Sequence, residues 1–146
     1  MIAQTIQLAL APVFLLVAIG NIMNVLSSRL GRVVDRSRKL QDRHGETEGL
    51  PHDMVVREMR IIDMRIRTIS RALLILVIAG LTVGLTVALL FIEEILEIEI
   101  QGVVAGTFML AIALLMWALT LFLRETRLAT EALQIPSDYL ELERKL

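Results

Sequence analysis

Four sets of side chains in this sequence carry chemistry, and none of them completes a catalytic arrangement. His44 and His52 flank a short polar stretch with Glu46, Glu48 and Asp53 close by. Imidazoles with carboxylates are zinc-type ligands, but the spacing fits no zinc pattern and a Gly-containing turn reads more simply as solvated. Glu93, Glu94, Glu97 and Glu99 form a second set whose oxygens suit Ca²⁺ or Mg²⁺. They lack the glycine-punctuated spacing of a calcium loop, so a solvated acidic cap that concentrates cations is the better reading. The third set is amide and hydroxyl: Asn21, Asn24 and Ser28, with Arg32 and Asp35 following, and Gln7 and Ser27 nearby. The fourth is the arginine-rich stretch from Arg29 to Arg71. There is no Ser/His/Asp set, HExxH, P-loop or dinucleotide fingerprint. With no cysteine there is also no thiolate ligand, thiol nucleophile or disulfide framework. Neither an enzyme, nor a cofactor, nor a bound metal is expected.

What holds these residues is three long apolar runs. Met1–Ser28 contains no charged side chain, and neither Ala72–Ile92 nor Ile100–Leu123 contains one. Roughly 20 helical residues cross a hydrocarbon core of about 30 Å. A hydrophobic fraction of 55% exceeds that of an ordinary soluble domain. The fold class is therefore all-α membrane protein, one domain over 1–146, with spans at about 5–28, 72–92 and 102–123. The first run is read as an uncleaved span, because positive charge follows it and a signal peptide needs charge to precede it.

Charge segregates along the chain. Arg29–Arg71 holds eleven Lys/Arg against seven Asp/Glu, whereas Glu93–Gln101 holds four Glu and no base. Arg124 and Arg127 follow the third run directly. The positive-inside rule then predicts cytoplasmic 29–71 and 124–146, with the N-terminus and acidic connector outside. The arginines lie within reach of anionic inner-leaflet headgroups. Nucleic acid is not an expected partner, since bases alternate with acids at salt-bridge spacing, as in Asp53/Arg57 and Asp63/Arg67.

The connector is not a loose loop. Val55, Met59, Ile62, Ile66, Ile69, Leu73 and Leu76 step by 4, 3, 4, 3, 4, 3 into the second span. Leu15, Ile19, Ile22, Leu26, Leu30, Val33, Ser37 and Leu40 do the same out of the first. These seams predict one helix to about Arg43, a turn over His44–Leu50, and a second helix from about Pro51 to about Ile92. The pair would form a coiled-coil-like antiparallel cytoplasmic hairpin over about 29–71, projecting about 20 Å from the bilayer. A weaker third seam, Leu110, Leu114, Trp117, Leu121 and Leu128, predicts a helix to about Gln134, then a charged tail. Pro12 removes one backbone bond in the first helix and is a candidate kink.

Polar groups at membrane depth are costly, so they are the first candidates for function. Asn21, Asn24 and Ser28 share a helix face, which continues through Arg32 and Asp35. Three readings stay open: wetting at the interface, hydrogen bonding between helices, or the lining of a water-filled pore in an assembly. Gly80/Gly84 and Gly102/Gly106 are small-xxx-small pairs that let helices approach closely. They serve packing between spans two and three, or an interface between copies.

The stretch Leu10-Ala11-Pro12-Val13-Phe14-Leu15-Leu16-Val17-Ala18-Ile19-Gly20, together with Leu26-Ser27-Ser28-Arg29-Leu30-Gly31-Arg32-Val33-Val34-Asp35-Arg36, resembles the domain of unknown function 2721 family. The likeness continues through Glu58-Met59-Arg60-Ile61-Ile62 into the second span. The resemblance implies a small three-span protein of the bacterial inner membrane. It brings no activity and no site residues.

Two functions fit. One is a homo-oligomeric ion or small-solute channel lined by the polar face of the first helix. The other is a non-enzymatic membrane scaffold or accessory subunit that docks a cytoplasmic protein partner through its cytoplasmic helices. In both the lipid bilayer is a partner. They differ in whether the Val55–Ile69 seam is consumed within the chain.

Overall fold

The structure, a computed structural model, describes residues 2–131. It consists of three helices: α1 (Ile2–His44), α2 (Leu50–Leu96) and α3 (Gln101–Glu131). All three contain a window long and apolar enough to cross a membrane. At helical rise α1 and α2 are about 65 and 70 Å long, more than twice a hydrocarbon core. Both therefore continue well past the apolar runs, as the seams predict. The expected end of the third helix near Gln134, and the charged tail, lie outside the described residues.

The helices form because each buries one stripe against a neighbour. Along α1 the buried apolar residues Ile19, Leu26, Val33 and Leu40 recur every seven residues. On α2 the matching line is Val55, Ile62, Ile69, Leu76 and Val83. Leu15, Ile22, Leu30, Met59, Ile66 and Leu73 pack beside them, so the two predicted seams bury as read. Contacts between α1 and α2 run in opposite chain order: Thr5 meets Glu94, Gly80 lies against Leu16 and Ile19, and Arg36 meets Glu58. Pro12 sits inside α1, which continues through it.

α2 is the central helix. It packs along both neighbours, while α1 and α3 barely touch. α3 corrects the sequence reading of its seam. Leu110 and Trp117 point outward, Trp117 being 60% exposed, and the buried line is Ala111, Ala118 and Glu125. Large apolar side chains lose nothing by facing lipid tails, whereas small ones let helices close on each other. Ala72 and Ala79, wholly buried on α2, serve the same close packing.

Two turns set the geometry. Before α2, Gly49 has φ +69° and ψ −141°, a conformation open essentially to glycine, and its carbonyl accepts from His52 and Asp53 N–H. Pro51 occupies the first turn, where its missing N–H costs nothing. After α2, Glu97 caps the helix in the left-handed region (φ 52°), and α3 begins four residues later.

Candidate functional site

Charge is tolerated just past a membrane span, and here two such positions, on α1 and α3, converge with Arg65 of α2, which stands seven residues before the apolar run that begins at Ala72. Arg29 is the first charge of α1, and Glu125 lies one residue past Arg124, the first charge of α3. Glu125 is 0% exposed. Arg29 Nη1 donates to its Oε2 at 2.6 Å, and Arg65 Nη2 and Nε donate to its Oε1 at 2.9 and 3.2 Å. Arg29 also reaches Thr126 Oγ1 at 3.4 Å and lies over the Phe122 ring, 5.1 Å from its centroid. A buried carboxylate is tolerable only when its lone pairs are filled, and two guanidinium groups fill these. One side chain thus ties α1, α2 and α3 together where α1 and α3 otherwise barely meet.

The sequence reading missed Glu125. The signal was present: it stands seven residues after Ala118 and fourteen after Ala111, on the line that faces α2. Choosing the large residues as the α3 seam hid that line.

Beside the triad, toward the tip of the α1–α2 pair, is a crevice of about 270 Å³ lined by Arg29, Arg32, Arg36 and Arg65, with Val33 and Ile62. Arg36 pairs with Glu58 at 2.7 Å. Arg32 has no carboxylate partner among the described residues.

The predicted polar face of α1 lies elsewhere. Asn21, Asn24, Ser28, Arg32 and Asp35 are all exposed. Asn21, Ser28 and Asp35 stand two residues after Ile19, Leu26 and Val33, and Asn24 stands two before Leu26. Two residues turn a helix by about 200°, so this stripe points directly away from α2. Arg32 leaves the stripe, adjoining Val33 on the crevice flank. Gln7 and Phe14 continue the same outward line, Phe14 at 69% exposure.

Of the glycine pairs, Gly80 alone meets a neighbour: a methyl there would touch Leu16 at 3.7 Å, on α1. Gly84, Gly102 and Gly106 face open space. α2 and α3 are joined instead by the alanines and by Thr86, which donates to Thr107 Oγ1 at 3.1 Å.

At the acidic end α1 and α3 stand apart and leave an open cleft of about 770 Å³ whose lining includes Thr5, Pro12, Thr86, Glu94, Glu97 and Phe108. Thr5 donates to Glu94 Oε2 at 3.1 Å. The histidines do come together, with ring centroids 4.4 Å apart. No third His, Cys, Asp or Glu joins them as a metal-holding group among the described residues.

A family model described as "Protein of unknown function (DUF2721)" matches residues 9–135. The chain belongs to the DUF2721 family. That span takes in the two quoted stretches of α1, all of α2 and the Glu125 triad, so the resemblance seen in the sequence holds over most of its length. Comparison with curated proteins and with solved structures gives no match. A multi-pass membrane protein of the DUF2721 family is thus the level at which it is identified.

Proposed function

We propose that this DUF2721 chain acts as a homo-oligomer in the bacterial inner membrane, its copies enclosing a water-filled path for an ion or small solute. It works without catalytic chemistry. The N-terminus and the acidic end lie outside and the basic end in the cytoplasm, following the placement of Lys and Arg. The parts of α1 and α2 beyond the bilayer are then an antiparallel cytoplasmic hairpin, held by Leu40, Val55 and the Arg36–Glu58 pair.

The observation that carries this reading is the outward direction of Asn21, Asn24 and Ser28 within an apolar run. An amide facing lipid tails forfeits its hydrogen bonds, so this stripe calls for water or another chain against it. Neutral amides and hydroxyls arranged around an axis replace ion hydration. Phe14, on the same line, would form an apolar ring above them, a constriction that gates by dewetting. Gly84, Gly102 and Gly106, open within one chain, give copies room for close approach.

The scaffold reading is less well supported. Its docking seam, Val55, Ile62 and Ile69, is buried inside the chain, and the large apolar side chains left broadly exposed on the hairpin, Leu50 and Met54 near the tip and Met64 further along, are scattered.

The deciding experiment is the mass of the detergent-solubilised complex, followed by flux in liposomes. A closed ring of about four to seven copies is expected, with Asn21→Leu/Asn24→Leu abolishing flux and leaving the ring intact. A monomer or dimer would sink the pore, because three spans cannot enclose one.

A further inference from the structure

The crevice beside Glu125 is charged in excess of its own ion pairs. Four guanidinium groups, those of Arg29, Arg32, Arg36 and Arg65, border about 270 Å³. Two carboxylates answer them: Glu125 takes Arg29 and Arg65, and Glu58 takes Arg36. Arg32 is left with no acidic partner among the described residues, and the crevice carries two positive charges over. Arginine forks match phosphate geometry, and several together hold a phosphate by charge-assisted hydrogen bonds.

Depth identifies the source of that phosphate. Arg29 ends a run of 28 uncharged residues, so it marks the edge of the hydrocarbon. Arg32 and Arg36 lie about 4.5 and 10 Å further along the helix. The headgroup layer is about 5–8 Å thick on each side of a bilayer, which puts Arg29 and Arg32 at phosphate level and Arg36 at its outer edge. Toward the membrane the same flanks are apolar. Val25 precedes Arg32 by seven residues and is exposed, and Phe122 precedes the crevice residue Ala129 by seven. Val25 offers an exposed apolar surface for an acyl chain on the membrane side of the cationic pocket, beside the half-buried Phe122 ring that Arg29 overlies.

We propose that the crevice formed by Arg29, Arg32, Arg36 and Arg65 binds the phosphate of an anionic membrane lipid, with Arg32 as the residue committed to the ligand. The site is complete within one chain, so it stands whether or not copies assemble into a pore. It differs from general attraction of a basic segment to the bilayer surface, which any arginine at that level would supply.

Native mass spectrometry of the full-length protein, released from detergent after incubation with phosphatidylglycerol or with phosphatidylcholine, tests it. One tightly retained phosphatidylglycerol per chain is expected, with little phosphatidylcholine. Arg32→Gln should weaken retention by about tenfold or more, the factor expected for one hydrogen bond to a charged group. Arg124→Gln, which removes a charge at the membrane edge outside the crevice, should leave retention unchanged. Equal losses in the two variants would overturn the site in favour of diffuse surface attraction. Equal binding of both lipids would overturn it outright. Displacement of the lipid by excess inorganic phosphate, with phosphate retained in its place, would reassign the crevice to a soluble phosphate. Arg29 and Arg65 are left intact in these variants because each supports Glu125, and a failure to fold would mimic a failure to bind.

Discussion

The two ends of the helical unit solve the same electrostatic problem in opposite ways. At the basic end a carboxylate is taken wholly inside, and two arginines, 27% and 21% exposed, close over it. At the acidic end four glutamates border a cleft between helices that stand apart. In the first case charge is structural, since it joins helices that otherwise barely meet. In the second, charge stays in contact with water and the backbone turn at Glu97 sets the spacing. The comparison teaches that position relative to the small-residue line of α3 decides what a glutamate does. Charge density decides much less.

The largest effect should come from breaking the buried carboxylate. Glu125→Ala leaves two arginines facing each other and an empty core position. Removing one partner of a buried pair costs about 3–5 kcal/mol, and partial exposure of both arginines puts this case near the lower end. Thermal unfolding in detergent should report the loss, and the α3 end should become accessible to protease. Arg65→Gln should cost more than Arg29→Gln, because Arg65 supplies two of the three bonds to Glu125 from two nitrogens. If Glu125→Ala unfolds like the wild type, the triad does not fasten the three helices.

That triad also marks where the sequence stopped being readable. The α1 and α2 seams were legible because Ile, Leu and Val recur at 3.5-residue spacing over many turns, every second one buried and those between them half-buried against it. The α3 line was not, because its members are Ala111, Ala118 and a glutamate. In water large side chains mark the buried face, whereas in lipid small ones can take that place, as they do on α3. The polar stripe of α1 was legible as a shared face, but its direction was not. Only the position of α2, fixed by Ile19, Leu26 and Val33, shows that it points outward. Arg32 follows from the same fact: three turns of spacing from Asn21 joined it to the stripe, and the neighbouring Val33 carries it to the crevice.

The next effect tests the constriction on the outward line, which the basic-end fastening should leave alone. Phe14→Ala removes the bulk of the proposed apolar ring, and hydrophobic gating predicts raised liposome flux with unchanged thermal stability, because a side chain 69% exposed leaves no buried cavity when it is truncated. Lower or unchanged flux would remove the gate at that level. A change in stability would mean the residue packs against a second copy.

A smaller effect is expected at Thr86, which bridges α2 and α3 between the two ends. Its single hydroxyl hydrogen lies within reach of both Thr107 Oγ1 at 3.1 Å and the carbonyl of Thr82 at 2.9 Å, and is shared between them. Thr86→Val keeps the shape and loses the bond between helices. Such bonds in membranes average about 0.6 kcal/mol, so a shift of that order in unfolding is expected. A loss as large as that of Glu125→Ala would erase the contrast, making the acidic half depend on polar pairing as much as the basic half does.

The smallest effect should be a gain, and it isolates the turn at the acidic end. Glu97 adopts φ 52°, ψ 37°, where a Cβ crowds the backbone and glycine does not. Relief of that crowding is worth about 1 kcal/mol, partly offset because glycine frees the unfolded chain. Glu97→Gly should therefore stabilise by a few tenths of a kcal/mol, read as a small rise in midpoint in a denaturant titration. It also removes one of the four acids around the cleft while leaving the helices in place. If stability rises, backbone geometry and not carboxylate chemistry sets the spacing of α2 and α3 at this end. A fall would mean that the Glu97 side chain contributes to holding the cleft, and the two ends would then share one strategy.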